Sequence, residues 1–277
     1  MRDPQRQVEM GRFLRARRLA LQPEELGLRS HPGRRRTPGL RREEVAERAA
    51  ISVSWYTWLE QGRDIHVSDA VLDSVAEALQ LDGAQREYLY CLASGNGAHV
   101  AQPTDRSDLP ASVQRILDAQ APSPGYAINR RFEVIGWNGA ALAVFGDFAQ
   151  LPVTERNVLR LIFGMLRPLI TNWEPNARFL LSTFRANTST NVSEPWWCEL
   201  VKDLGSRNPE FRCWWSEYSV GTRPVAYKEL AHPVVGRMVL EQTALLSEDG
   251  SGRRLVLYTP KPGTETSIKL TQLAQQR

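Results

Sequence analysis

At 277 residues and 31.3 kDa the chain can fill two cores of ordinary size, and its 42% hydrophobic and 24% charged residues lie near globular averages. That balance excludes a largely disordered chain, and the longest apolar run, Leu159 to Ile170, is broken by Arg160 and Arg167 and is too short to cross a bilayer. The net charge of +4 is modest but uneven: ten Arg between Gly11 and Arg42 face only Glu24 and Glu25, whereas Glu43 to His99 holds three Arg against ten acids.

In chain order, helical periodicity starts near Val8 and runs to Leu21, with Phe13, Leu14 and Ala16 on one side. Gln22 to Gly39 carries six Pro and Gly residues and the triplet Arg34-Arg35-Arg36, and reads as a loop. A helix over Arg41 to Ala49, a turn at Ala50-Ile51 and a second helix over Val53 to Gln61 follow, with Ser52 as N-cap and Gly62 as terminator. Helices over Ala70 to Leu79 and Ala84 to Ala93 complete an all-α five-helix domain, 1–95. The Gly- and Pro-rich stretch 96–105 reads as a linker.

Residues 106–277 read as an α+β domain. A short helix precedes strands at Gly125 to Ile128 and Phe132 to Trp137. Helices are expected at Asn138 to Phe145, Val153 to Phe163, Pro175 to Thr188, Pro195 to Leu204 and Pro209 to Tyr218. Strands return at Tyr227 to Ala231, Val235 to Leu246 and Arg254 to Thr259, so one antiparallel sheet flanks a helical insert.

Two short helices across a tight turn are how a chain presents one helix to the major groove, where hydroxyls meet base edges and apolar atoms meet thymine methyls. Ser52, Val53, Ser54, Trp55, Thr57 and Trp58 are the candidate reading residues, and Trp55 and Trp58 fit a core or dimer-contact role equally well. Arg35, Arg36, Arg42 and Arg63 are the candidate phosphate contacts. Arg42 opposes the helix dipole at a helix start, which suits an external anion there. Three cysteines and four scattered histidines match no ligand spacing, so neither a disulfide framework nor a metal site is expected, and a reducing, cytoplasmic setting follows.

Phe13-Leu14-Arg15-Ala16-Arg17-Arg18, Arg35 to Ala46 and Trp55 to Asp64 closely resemble the XRE-type helix-turn-helix of MmyB-like bacterial transcription regulators. By that likeness Arg18 and Glu60 form an ion pair. Ala50 departs from the pattern, which has Gly in the turn; a left-handed alanine there costs about 1 kcal/mol. Arg131 to Asn138, Glu155 to Phe163, Asn208 to Phe211, His232 to Gly236 and Leu255 to Pro260 resemble the MmyB-like ligand-binding domain. That likeness implies a PAS-like core with an apolar pocket for a fatty-acid-like molecule. Asn138, Arg156, Asn157 and Arg160 are then candidates for a polar head, Trp137, Phe145, Phe163, Trp173 and Trp215 for the pocket wall, and His232 for a place near it.

The expected function is sequence-specific regulation of transcription, controlled by a small hydrophobic ligand, with no cofactor and no enzymatic activity. Duplex DNA, the ligand, a second copy in a homodimer and RNA polymerase are the expected partners, and a membrane is not. The alternatives are a DNA-tethered enzyme acting on a small hydrophobic substrate, although no nucleophile elbow or phosphate loop is present, and a ligand-free interaction scaffold.

Overall fold

The computed structural model describes residues 3–26, 39–94, 109–220 and 227–276. The chain forms two compact units: residues 1–98 with 185–222, and residues 99–184 with 223–277.

In the first unit, α1 (Pro4–Ala20) starts at Asp3, whose carboxylate accepts from the Gln5 N–H at 2.9 Å, with Pro4 at the first helical position. α2 (Arg42–Arg48) and α3 (Val53–Glu60) are joined at Ala49 to Ser52, where the Ile51 N–H donates to the Ala46 carbonyl at 3.0 Å. Ala50 sits in that turn with φ +52°, so the left-handed strain weighed from the sequence is present. α4 (Asp69–Ala78) and α5 (Gly83–Ser94) close the head around Phe13, Leu14, Val45, Tyr56, Leu59 and Leu89. α1 meets the end of α3 closely enough to demand glycine twice. A Cβ on Gly11 would stand 2.5 Å from the Glu60 carbonyl, and Gly62, at φ +68°, would place one 2.8 Å from that of Gln7.

The head does not end where the linker begins. α9 (Trp173–Asn187) passes from one unit to the other after Phe184, and α10 (Pro195–Arg207) and α11 (Pro209–Ser216) belong with α1–α5. Tyr218 and Val220 join the head core. The reason is a buried carboxylate: Glu9 of α1 accepts from the hydroxyls of Tyr88 at 3.1 Å and Tyr218 at 3.2 Å, and a buried acid without donors would be costly. Arg185 is buried beside them, its guanidinium 3.9 Å from the Trp215 ring centre and 4.3 Å from that of Tyr218.

The second unit holds a five-stranded antiparallel sheet in the PAS-like order β2-β1-β5-β4-β3. Its strands are β1 (Gly125–Ile128), β2 (Val134–Trp137), β3 (Lys228–His232), β4 (Gly236–Leu246) and β5 (Arg254–Pro260). α6 (Ala111–Asp118) covers one face through Leu117 against Ala127 and Leu255. The expected helix from Val153 to Phe163 is broken. A 3₁₀ turn over Val153–Glu155 precedes α8 (Val158–Phe163), because Asn157 caps α8 by accepting from the Leu159 N–H at 3.0 Å. Within the insert, α7 (Gly139–Phe145) is capped in the same way by Asn138, at 2.8 Å from the Ala141 N–H. A terminal helix, α12 (Thr266–Gln275), escaped the sequence reading because its apolar side amounts to little more than Leu270 and Leu273.

Candidate DNA-binding face and ligand cavity

Burial divides α3 lengthwise. Tyr56 and Leu59 are sealed in the head core, whereas Val53, Ser54 and Trp58 are exposed together with Arg63, whose guanidinium lies 5.8 Å from the Trp58 ring centre. Trp55 is half-buried and packs against the core. The Ser52 hydroxyl accepts from the Trp55 N–H at 3.1 Å, and that of half-buried Thr57 donates to the Val53 carbonyl at 2.7 Å. Each of these hydroxyls is therefore already engaged on one side, which leaves Ser54 as the exposed hydroxyl of the helix. Gln61, exposed at the helix end, adds an amide of the type that pairs with adenine and was not singled out from sequence.

Behind this face Glu60 is clamped by two arginines. Arg18 donates through Nε and Nη2 to the two carboxylate oxygens at 2.7 Å each, and through Nη1 to the Leu40 carbonyl at 2.6 Å. Arg42 donates to Oε1 at 2.8 and 3.1 Å. Burial pushes the Glu60 carboxyl up, but hydrogen bonds and charge from Arg18 and Arg42 outweigh it and hold the group below its ordinary range. The anion expected near Arg42 is therefore internal. Arg42 keeps 40% of its side-chain surface, yet its guanidinium is directed at Glu60, while Arg63 remains exposed. Arg35 and Arg36 lie outside the described residues.

In the second unit, strand alternation builds a different environment. On β1, β4 and β5, Tyr126, Ile128, Gln242, Ala244, Arg254 and Val256 share the sheet face away from α6, brought side by side by the pairings Ile128 with Arg254 and Ala244 with Val256. With Lys228 of β3 and with residues of α8 and α9, they enclose a cavity of about 220 Å³. Its lining is mostly apolar. Polar atoms enter from Asn176, Thr183, Gln242, Lys228 and Arg254, and among the described lining residues there is no carboxylate. Lys228 is buried and donates from Nζ to the Tyr258 hydroxyl at 2.8 Å; Tyr258 donates in turn to Gln242 Oε1 at 2.9 Å and stands 3.1 Å from the Tyr126 hydroxyl. Burial lowers the Lys228 ammonium from 10.5 to about 8, and burial likewise lowers Arg254. Phe132 closes one side at φ +64°, its ring edge-on to Phe184 at 5.2 Å and below the Arg254 guanidinium at 5.6 Å.

Both units match known families. Residues 9–89 match a helix-turn-helix domain, and residues 109–273 match the MmyB-like transcription regulator ligand binding domain. The chain belongs to the MmyB-like transcription regulators. A search of curated proteins returned no match. The match to the ligand-binding domain runs through 185–222, so this regulator packs a segment of that domain with its DNA-binding head.

The regulator brings Arg18 and Glu60 together, as the resemblance implied. None of the residues proposed from sequence for the ligand lines the 220 Å³ cavity. Asn138 is spent on structure: besides capping α7, its carbonyl accepts from the Gly125 N–H at 3.0 Å and its amide donates to Leu117 and Ser123 at 2.9 Å each. Asn157 caps α8 and donates to the Arg131 carbonyl at 2.8 Å. Arg156 donates to the Leu151 and Ala149 carbonyls and lies 5.9 Å from the Trp137 ring centre, while Arg160 pairs with Glu155 at 3.5 Å. Trp137 packs edge-on to Phe148, and Phe163 edge-on to Trp173. Trp215 lies in the other unit, stacked on Phe211. Phe145 and His232 border a second, more open hollow of about 460 Å³, where His232 Nδ1 accepts from the Val234 N–H at 3.3 Å and Nε2 lies 3.1 Å from the Ala143 carbonyl. Lys228, Arg254 and Gln242 were missed because alternation within a strand does not tell which face will be hollow.

Among the described residues of the regulator, no helix is long and apolar enough to cross a membrane. Among the described residues no cluster of three or more potential metal ligands occurs.

Proposed function

We propose that this regulator reads specific duplex DNA through the exposed edge of α3, with Arg63 on phosphate, and that a fatty-acid-like amphiphile in the second unit controls it. One observation carries the ligand: an apolar cavity lined by the buried Lys228 and the half-buried Arg254, with no carboxylate among its described lining residues. At about 220 Å³ it exceeds the ~150 Å³ apolar cavity that takes up benzene, and each methylene buried there contributes about 0.8 kcal/mol. An anionic head beside Lys228 gives that buried ammonium a counter-charge, with Arg254 on the same wall.

Two copies acting together double the contacts that one short helix makes, which supports the homodimer, and RNA polymerase is the partner through which bound DNA would be acted on. Control requires the ligand to bind two states unequally; the helix that lines the cavity, α9, runs on past Phe184 into the unit that holds the head. Mass spectrometry of small molecules released from the purified full chain, followed by thermal denaturation with added octanoate, tests the reading. Recovery of an acyl chain, and an octanoate-induced rise in Tm that Lys228→Met reduces, are expected. Absence of both results overturns it.

A further inference from the structure

The chain holds thirty-one arginines and only four lysines. Of the four, Lys202 is exposed, Lys261 and Lys269 are half-exposed, and Lys228 alone is buried, with its amine at the wall of the cavity. A chain that uses arginine almost everywhere for fixed charge has placed here the one cation whose nitrogen can lose its proton and become a nucleophile. Resting on the ligand reading above, we propose that Lys228 captures an aliphatic aldehyde in this cavity as a reversible imine.

The geometry supplies what the condensation needs. Nζ attacks the carbonyl carbon, a C–N bond forms, and a proton passes from nitrogen to the former carbonyl oxygen to give a carbinolamine. The carbinolamine hydroxyl then takes a proton, the C–O bond breaks and water leaves as the nitrogen lone pair completes the C=N bond; the proton left on the iminium nitrogen passes back to the donor, so the net change is the loss of one water and no oxidant or reductant is consumed. Tyr258 places a hydroxyl beside Nζ and Tyr126 a second one 3.1 Å from the first, a pair available to hydrogen-bond the oxygen as it gains charge and departs. Arg254 and Tyr126 are the other charged and titratable side chains among the described lining residues, and Nζ donates to the Tyr258 hydroxyl. Burial pushes both phenols upward, Tyr126 to about 12, so they stay protonated as donors. With its own pKa near 8, Lys228 is neutral in roughly a quarter of molecules at pH 7.5, against about one in a thousand for a solvated lysine. The apolar lining takes the alkyl chain and keeps bulk water from returning the imine to aldehyde.

The test uses the full chain, octanal at one equivalent and cyanoborohydride, which fixes an imine as a secondary amine. Intact and peptide mass spectrometry should find one octyl group, at Lys228, with at least tenfold preference over Lys202. Labelling should accelerate as pH rises toward 8, fall when octanoate fills the cavity first, and vanish in Lys228→Arg, whose folding is checked by its DNA binding. Octyl groups spread over the surface lysines with none at Lys228, in protein that still binds octanoate, would overturn the imine and leave the ligand reading standing. Failure of both octanal and octanoate to engage the cavity overturns both.

Discussion

The two units each bury a cation, and they treat it in opposite ways. In the head, Arg18 meets the carboxylate of Glu60 in a two-point pair that Arg42 completes, so the charge is satisfied inside the fold. In the sheet unit, Lys228 has the Tyr258 hydroxyl and no carboxylate partner among the described residues, and burial lowers its pKa. A closed triad fixes geometry: it anchors the end of α3 to α1 and α2, so the exposed edge proposed to read DNA is held from behind. An open cation leaves an interaction to be made, and it does so where the fold also leaves space. Structural and receptive charges are thus told apart by whether the chain supplies the counter-ion.

The largest effect should come from breaking the closed triad. Glu60→Ala removes the carboxylate from two arginines and should cost about 3–5 kcal/mol in urea denaturation of the full chain; a loss under about 1 kcal/mol would show that solvent replaces the pair. Because the folded-state pKa of Glu60 is depressed below 4.5, its contribution is fully present above that value and fades as pH falls through the folded pKa. The stability gap to Glu60→Gln should follow that course.

Removing the open cation should do the reverse. Lys228→Met is expected to leave stability unchanged or raise it by about 1–3 kcal/mol at pH 7 while weakening octanoate binding. The folded pKa of about 8 lies below the unfolded 10.5, so the unfolded chain binds more protons between them. Native stability therefore rises with pH across that window, and the advantage of the methionine variant should shrink toward pH 10. A pH-independent gap would contradict the burial of the charge.

Smaller effects sharpen the picture of the head. Ala50→Gly relieves the left-handed alanine and should stabilise by up to about 1 kcal/mol, seen as a raised midpoint in denaturant; no gain would mean that the glycine's added unfolded freedom cancels the strain. Arg63→Ala should leave stability nearly untouched and reduce the slope of log affinity against log salt by about 1. An unchanged slope would take Arg63 off the phosphate.

Much of this was legible in the chain. The cap at Ser52, the terminator at Gly62 and the apolar spacing of Val45, Ala46 and Leu59 are local signals, and they mark α2 and α3 without knowledge of anything distant. The same helical periodicity put Val53, Ser54 and Trp58 on the exposed side, whereas Thr57, grouped with them, is half-buried. The ligand residues did not follow, because Asn138 and Asn157 look equally polar whether they face a pocket or cap a helix, and only the positions of the Leu117 and Arg131 carbonyls decide. The aromatic segment around Trp215 was read with the sheet because it follows it in the chain, whereas the need of Glu9 for a second donor drew Tyr218 to the head.

Periodicity, capping and turn chemistry therefore determined most of the elements, α12 and the break before α8 excepted, and the α+β class, since each is set by neighbours within a few residues. Strand register and the pairing of groups far apart in the chain decided the rest: that Lys228 and Arg254 enclose a hollow, that Glu60 holds both Arg18 and Arg42, and that residues 185–222 pack with the head. A charge's role depends on what stands opposite it, and what stands opposite is fixed only when the chain has closed on itself.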